Sequence, residues 1–178
     1  GIPRKELLLS KLEAIGKVSS VTININKNAT NVILGKETRV LKGREYITDK
    51  IFGLEFEISA SSFFQVNPFS TELVYAKALE FAELKGNETV FDIYCGIGTI
   101  SLIFAKHAKR VVGVEIVPQA VSNAVKNAEK NKIENAEFIC GNAPDVLRKL
   151  SEEERFKPDV IVVDPPRKGC EPEVLEAI

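Results

Sequence analysis

The chain has 178 residues, 44% hydrophobic and 28% charged, with a formal net charge of -1, which is the make-up of a soluble globular protein of one ordinary domain or two small ones. No apolar run is long enough to span a bilayer, no signal-peptide pattern opens the chain, and the near-neutral balance gives no global argument for nucleic acid. The three cysteines, Cys95, Cys140 and Cys170, have the spacing of neither a zinc site nor a disulfide framework, so a cytoplasmic protein with reduced thiols and no membrane contact is expected. Charge is slightly uneven: residues 1–66 hold ten Lys/Arg against seven Asp/Glu, and residues 67–178 hold fourteen against eighteen. The chain contains no Met and ends within a helical pattern, Glu173-Val174-Leu175-Glu176-Ala177-Ile178, so it is expected to be a piece of a longer protein.

In chain order, Leu7 to Ile15 predicts a short helix ended by Gly16. Short β-rich pieces follow at 21–25, 32–34, 39–41, 46–48 and 54–58, punctuated by Gly35, Gly43 and Gly53 as in an antiparallel module. Asn67-Pro68 then opens a helix, Asn as cap and Pro at the first helical position, with Phe69, Leu73, Ala76 and Leu79 as its apolar stripe and Gly86 as its end. From there strands and helices alternate: strands at 89–91, 110–114, 137–139 and 159–163, helices at 99–106, 118–131 and 145–150. Glu152-Glu153-Glu154 reads as a solvated loop. The alternation predicts a doubly wound parallel sheet, and four strands make only part of such a domain. A central β-rich module over 1–66 and a truncated α/β domain over 67–178 are therefore expected.

Four strand ends are expected to present polar groups at one edge: Asp92, Glu115, Asn142 and Asp164. Asp92-Ile93-Tyr94-Cys95-Gly96-Ile97-Gly98-Thr99 joins a strand to a helix, and Gly96 and Gly98 let the backbone turn tightly beside a ligand. Ser101 stands where a dinucleotide fingerprint has Gly or Ala, so NAD is not excluded on size, but Asp92 and Tyr94 suit a ligand with a cationic amino-acid tail better than a pyrophosphate. Glu115 ends its strand where an acid accepts the two ribose hydroxyls of an adenosine, or is a plain surface carboxylate. Asn142 can meet an adenine edge or cap the helix that follows it. Asp164-Pro165-Pro166-Arg167 leaves the apolar run Val160–Val163, a strand expected to be buried on both faces, as a stiff extended lip with unpaired carbonyls. His107, the one histidine, sits among Lys106 and Lys109 as a solvated side chain and makes no metal site. Cys95 and Cys140 read as small buried packing residues, and Cys170 as a thiol without a base in sequence.

Taken together these residues resemble the RNA (uracil-5-)-methyltransferases, which modify bacterial ribosomal and transfer RNA. Asn24-Ile25-Asn26 through Asn31-Val32-Ile33-Leu34-Gly35 resembles that family's central β module. Ser62-Phe63-Phe64-Gln65-Val66-Asn67 resembles its phenylalanine-rich segment with a cofactor-binding glutamine. The glycine loop resembles its S-adenosylmethionine loop, and Asp164-Pro165-Pro166-Arg167-Lys168-Gly169 its fourth motif. The resemblance implies a Rossmann-like class I methyltransferase core, its parallel sheet truncated, behind a small antiparallel β module. It implies S-adenosylmethionine as cofactor, held by Gln65, Tyr94, Gly96, Gly98, Thr99, Glu115, Asn142 and Asp164, with Asn142 standing where Asp is frequent. It implies an RNA partner, rRNA or tRNA, contacted in part by residues 1–66.

In such enzymes a cysteine thiolate adds at carbon 6 of the uracil, so that carbon 5 can attack the methyl group, and a base then removes the carbon-5 proton. The family carries that cysteine in a Ser-Cys-Asn-Pro segment beyond the position of Ile178 and the base further on, so this chain is expected to bind cofactor without catalysing. Methyl transfer to a small molecule or a protein, and a non-catalytic RNA-binding module, remain the alternatives.

Overall fold

The computed structural model describes residues 2–27, 33–35, 37–152 and 157–178. They fall into two units, Gly1–Ile47 with Ser59–Ser61 and Thr48–Ile58 with Ser62–Ile178. In the first, helix α1 (Lys5–Ile15) ends at Gly16, and β1 (Ser20–Ile25) pairs antiparallel with β2 (Glu37–Gly43) through a bulge between Val21 and Thr22. The Asn24 side chain joins this pair to the preceding loop, accepting from the Gly35 amide at 2.7 Å and donating to the Gly35 carbonyl and Thr38 Oγ1, each at 2.9 Å. Of the strand expected at 32–34, residue 32 lies outside the described residues, and Ile33 and Leu34 are not in a strand. Residues 28–32, part of the stretch that resembles the family's β module, also lie outside them.

Strands β3 (Tyr46–Ile51) and β4 (Leu54–Ser59) form a hairpin across Phe52 and Gly53, whose φ of 52° and 73° are the left-handed pair that a tight hairpin turn requires. Leu54, Phe56 and Ile58 alternate inward along β4. Thr48–Ile58 thus shares a unit with the parallel sheet, although the module boundary read from the sequence lay at residue 66.

Helix α2 (Pro68–Ala82) begins as its sequence requires: Asn67 Oδ1 accepts the Ser70 amide at 3.1 Å and Pro68 takes the first helical position. Its buried face is not the expected one. Thr71 and Tyr75 are buried, whereas Phe69 is 82% and Leu73 74% exposed. The helix is apolar on more than one side, so periodicity alone did not choose the face. It also stops earlier than expected, at a left-handed Glu83, and Gly86 belongs to the following loop.

The parallel sheet takes β5 (Thr89–Ile93), β6 (Arg110–Glu115), β7 (Ala136–Cys140) and β8 (Val160–Val163) in the order β7-β6-β5-β8. Helices α3 (Thr99–Ala105), α4 (Pro118–Lys130), α5 (Ala143–Glu152) and α6 (Pro172–Ala177) alternate with the strands. Glu152 ends α5 instead of opening a loop, and Glu153 and Glu154 lie outside the described residues. The strand period of two divides the core. Val90 and Val111 pack with Leu102, Phe104 and Ala120 on one face, together with Phe56 of the hairpin and Tyr75. Phe91, Ile93, Val112 and Val114 pack with Val146, Leu147 and Val174 on the other. The chain runs outward through β5, β6 and β7 and returns to β8 on the far side of β5, so the order reverses between β5 and β8. Ligands of open α/β sheets bind at the carboxyl ends of the strands at such a point. Strand β8 is half-buried rather than buried on both faces, because only β5 pairs with it among the described strands.

One face of α4 joins the hairpin to the sheet. Asn127 Oδ1 accepts the Glu57 amide at 2.7 Å, Asn131 Oδ1 accepts the Glu55 amide at 2.9 Å, and the Asn131 side chain donates to the Glu55 carbonyl at 2.7 Å. Residues four apart on a helix rise about 6 Å, close to the two-residue repeat of a strand, so successive amides meet successive backbone positions of β4. No helix among the described residues is long and apolar enough to cross a membrane.

Candidate functional site

A cavity of about 580 Å³ opens at the carboxyl ends of β5, β6 and β8. Of the residues singled out in the sequence, Gln65, Tyr94, Gly96, Thr99, Glu115 and Asp164 line it, with Phe63, Phe64 and the two prolines of the lip. Asn142 lines a smaller adjoining cavity that shares Tyr94, Glu115 and Pro166 as walls. The lip is less open than expected: the Pro166 carbonyl accepts the Gly169 amide at 2.8 Å, turning the chain back after Arg167.

The glycine loop is built on left-handed backbone. Tyr94, Gly96 and Gly98 have φ of 68°, 56° and 82°. For Tyr94 that conformation is uncommon, and its hydroxyl is anchored on Glu171 Oε2 at 3.2 Å. Nothing lies within 4 Å of where a Cβ on Gly96 would stand, so this position faces open space beside the cavity. Gly98 differs. It lines neither cavity, and a Cβ there would come within 3.0 Å of the Phe138 ring. Its role is to turn the chain into α3 against β7.

Glu115 braces this loop, its Oε2 accepting the Gly96 amide at 3.1 Å and its Oε1 the Val117 amide at 2.8 Å. Each carboxylate oxygen carries two lone pairs, so Glu115 keeps acceptor capacity toward the cavity. The rim carboxylate, Asp164, is exposed, and the desolvation it does suffer raises its pKa.

Asp92 departs from the expected edge. It lies inside β5, 1% exposed, and takes the Ser101 hydroxyl on Oδ2 at 2.5 Å instead of lining the cavity. Burial, opposed by that bond and joined by repulsion from Asp164 and Glu115, pushes its pKa up to about 7. Its Oδ1 is buried with no hydrogen-bond partner among the described residues. Ser101 is therefore accounted for as the donor to a buried acid.

Tyr75 is the site residue that sequence reasoning missed. It lines the cavity from α2, its hydroxyl hydrogen-bonded with Gln65. Burial first, then Asp164 and Asp92, push its pKa up to about 12. The available signal was the alternative stripe Thr71-Tyr75-Ala78-Ala82, which loses to Phe69 and Leu73 on hydropathy alone. The thiols divide differently from expectation. Cys95 is buried and lines the cavity, while Cys140 is exposed and not packed inside. Cys170 is half-buried against the second core layer, and His107 is exposed.

The donor set suits one kind of ligand. Among the described residues the ionisable walls are the acids Glu115 and Asp164, the tyrosines and one thiol, with Arg167 as the single basic lining residue, and the remaining surface is largely apolar. Such walls fit a flat adenosine bearing a cationic tail better than a pyrophosphate.

The family model for tRNA (Uracil-5-)-methyltransferases matches residues 9–178. The chain belongs to this family. Among its relatives are proteins named as uncharacterized RNA methyltransferases: one of Clostridium tetani is 51% identical over 178 residues, 99% of this chain and 38% of that protein. Another, of Enterococcus faecalis, is 51% identical over 99% of this chain and 38% of that protein. The chain thus spans about two fifths of the length of these curated family members. A solved family structure, the tRNA (uracil-54, C5)-methyltransferase of Pyrococcus abyssi in complex with S-adenosyl-L-homocysteine, superposes with a TM-score of 0.72 at 25% identity, covering 93% of this chain and 39% of that one. A SAM-dependent methyltransferase of Agrobacterium tumefaciens, TM-score 0.57 at 23% identity over 74% of this chain and 44% of that one, shares the fold.

Proposed function

We propose that the protein to which this chain belongs is a cytoplasmic RNA methyltransferase that methylates carbon 5 of a uracil in rRNA or tRNA, and that this chain forms its S-adenosylmethionine site. The observation that carries the proposal is the acid-lined cavity at the point where the strand order reverses, roofed by Asp164-Pro165-Pro166-Arg167. When bound, S-adenosylmethionine supplies an electrophilic methyl group. The chain's own residues orient and shield it. Glu115 accepts the ribose hydroxyls and Asn142 meets the adenine edge. Gly96, Gly98 and Thr99 shape the loop beneath the ligand. Gln65, Tyr94 and Asp164 hold the amino-acid end, and the two prolines keep water from the transfer.

None of the chain's thiols suits addition to carbon 6. Burial first, then the acids Asp92 and Glu115, push the Cys95 thiol pKa well above the usual range and keep it protonated. Cys140 and Cys170 do not line the cavity. The nucleophile of the whole protein is therefore assigned to a segment outside this chain; the family resemblance is what places the base there too and gives residues 1–66 part of the RNA contact. The test is methyl transfer from labelled S-adenosylmethionine to RNA. Full-length protein is expected to yield 5-methyluracil and this chain alone no product. Methylated RNA from the chain alone, or label on a nitrogen from the full-length protein, would overturn the proposal.

A smaller prediction concerns Tyr75. Tyr75→Phe removes one buried hydroxyl bond to Gln65 and is expected to weaken S-adenosylhomocysteine binding about fivefold, equivalent to about 1 kcal/mol. Calorimetric titration checks it, and unchanged affinity would remove Tyr75 from the site.

A further inference from the structure

We infer that Asn123 and Asn127 are positioning residues of the cavity: from one face of α4 they fix its two walls, the glycine loop and the segment that carries Gln65, relative to the β3–β4 hairpin. The inference rests on the cofactor reading above for its consequence, not for its geometry. Asn127 is fully buried, and its amide oxygen and amide nitrogen are both engaged. Oδ1 takes the Glu57 amide at 2.7 Å, and Nδ2 donates to the Glu57 carbonyl at 3.4 Å and to the Ile97 carbonyl at 3.1 Å. Ile97 lies between the two left-handed glycines and lines the cavity. One turn earlier, Asn123 Nδ2 donates to Ser62 Oγ at 2.8 Å, three residues before Gln65. One turn later, Asn131 makes the same kind of bonds to Glu55 but reaches neither wall. Asn127 needs an acceptor and two donors at once. A carboxylate in its place keeps the bond to the Glu57 amide and turns negative oxygen toward two carbonyls.

Asn131 supplies an internal control, since it is the same residue type, one turn on at the C-cap of α4, with the same partner strand. Amide hydrogen exchange of the ligand-free chain separates a positioning role from a purely structural one. In Asn127→Asp the Gly96 and Gly98 amides are expected to exchange about tenfold faster, the effect of losing one buried bond. In Asn131→Ala those amides should keep their rates although thermal stability falls. The same pair is expected to differ in S-adenosylhomocysteine affinity, about tenfold weaker for Asn127→Asp and unchanged for Asn131→Ala. Should Asn127→Asp fail to fold, Asn123→Ala is expected to speed exchange at residues 63–65. Equal glycine-loop rates in the Asn127 and Asn131 variants, or unchanged rates at 63–65 in Asn123→Ala, would overturn the inference. If the unmodified chain did not bind S-adenosylhomocysteine, the cofactor reading would fail while the exchange comparison still decided the role of the asparagines.

Discussion

Glu115→Ala is expected to weaken S-adenosylhomocysteine binding by about a hundredfold or more, a loss of about 2.7 kcal/mol. Two contributions add. The carboxylate holds the Gly96 and Val117 amides, charge-assisted bonds whose loss frees the loop between two left-handed residues. It is also the acceptor assigned to the ribose. Glu115→Gln separates them, because one amide oxygen retains a single backbone bond while the charge is gone. An intermediate loss, near tenfold, is expected for it. Calorimetric titration of the three proteins is the measurement. Equal binding by all three would show that Glu115 is an ordinary strand-end carboxylate.

Asp92→Asn is expected to change how stability depends on pH. The carboxyl titrates near 7 in the folded chain, against 3.8 for an unperturbed aspartate. Between those values the folded chain keeps a proton that the unfolded chain has lost, so this group makes stability fall as pH rises, by about 1.4 kcal/mol per unit. Its stabilising contribution is fully present below about pH 4. It is lost by the time pH has risen through about 7, for a total of about 4 kcal/mol. Glu88 and Glu171, whose pKa values are lowered by backbone bonds and by Lys168 respectively, run in the opposite sense. The difference between wild type and variant cancels them. Thermal unfolding at pH 5 and pH 8 should show the variant gaining on wild type as pH rises, with the larger advantage at pH 8. A difference that stays constant across that range would mean Asp92 titrates as an ordinary carboxylate.

Much of the parallel sheet was legible because each strand is short, apolar and followed by a polar end residue. Glu115 and Asp164 fell where that reading put them. Asp92 did not, because β5 runs to Ile93, two residues beyond the expected end, and the strand period then turns Asp92 into the core toward Ser101. Tyr75 and the exposed Phe69 and Leu73 reversed roles because α2 carries apolar residues on more than one side, and the neighbouring hairpin and sheet decide which face is buried. The asparagines of α4 read as ordinary polar helix residues. Asn127 and Asn131 acquire meaning only once β4 lies alongside, and Asn123 only once Ser62 does, which no local pattern announces. Gly96 and Gly98 looked alike in sequence and separate in the fold, one beside the cavity and the other against Phe138.

The central claim is that the cavity is built for an adenosine with a cationic amino-acid tail. Parallel calorimetric titrations of the purified chain with S-adenosylmethionine and with NAD test it most directly. Saturable one-to-one binding of S-adenosylmethionine, lost in Glu115→Ala, with no heat from NAD, is the expected result. Binding of NAD with comparable affinity, or no binding of S-adenosylmethionine by a folded chain, would contradict it.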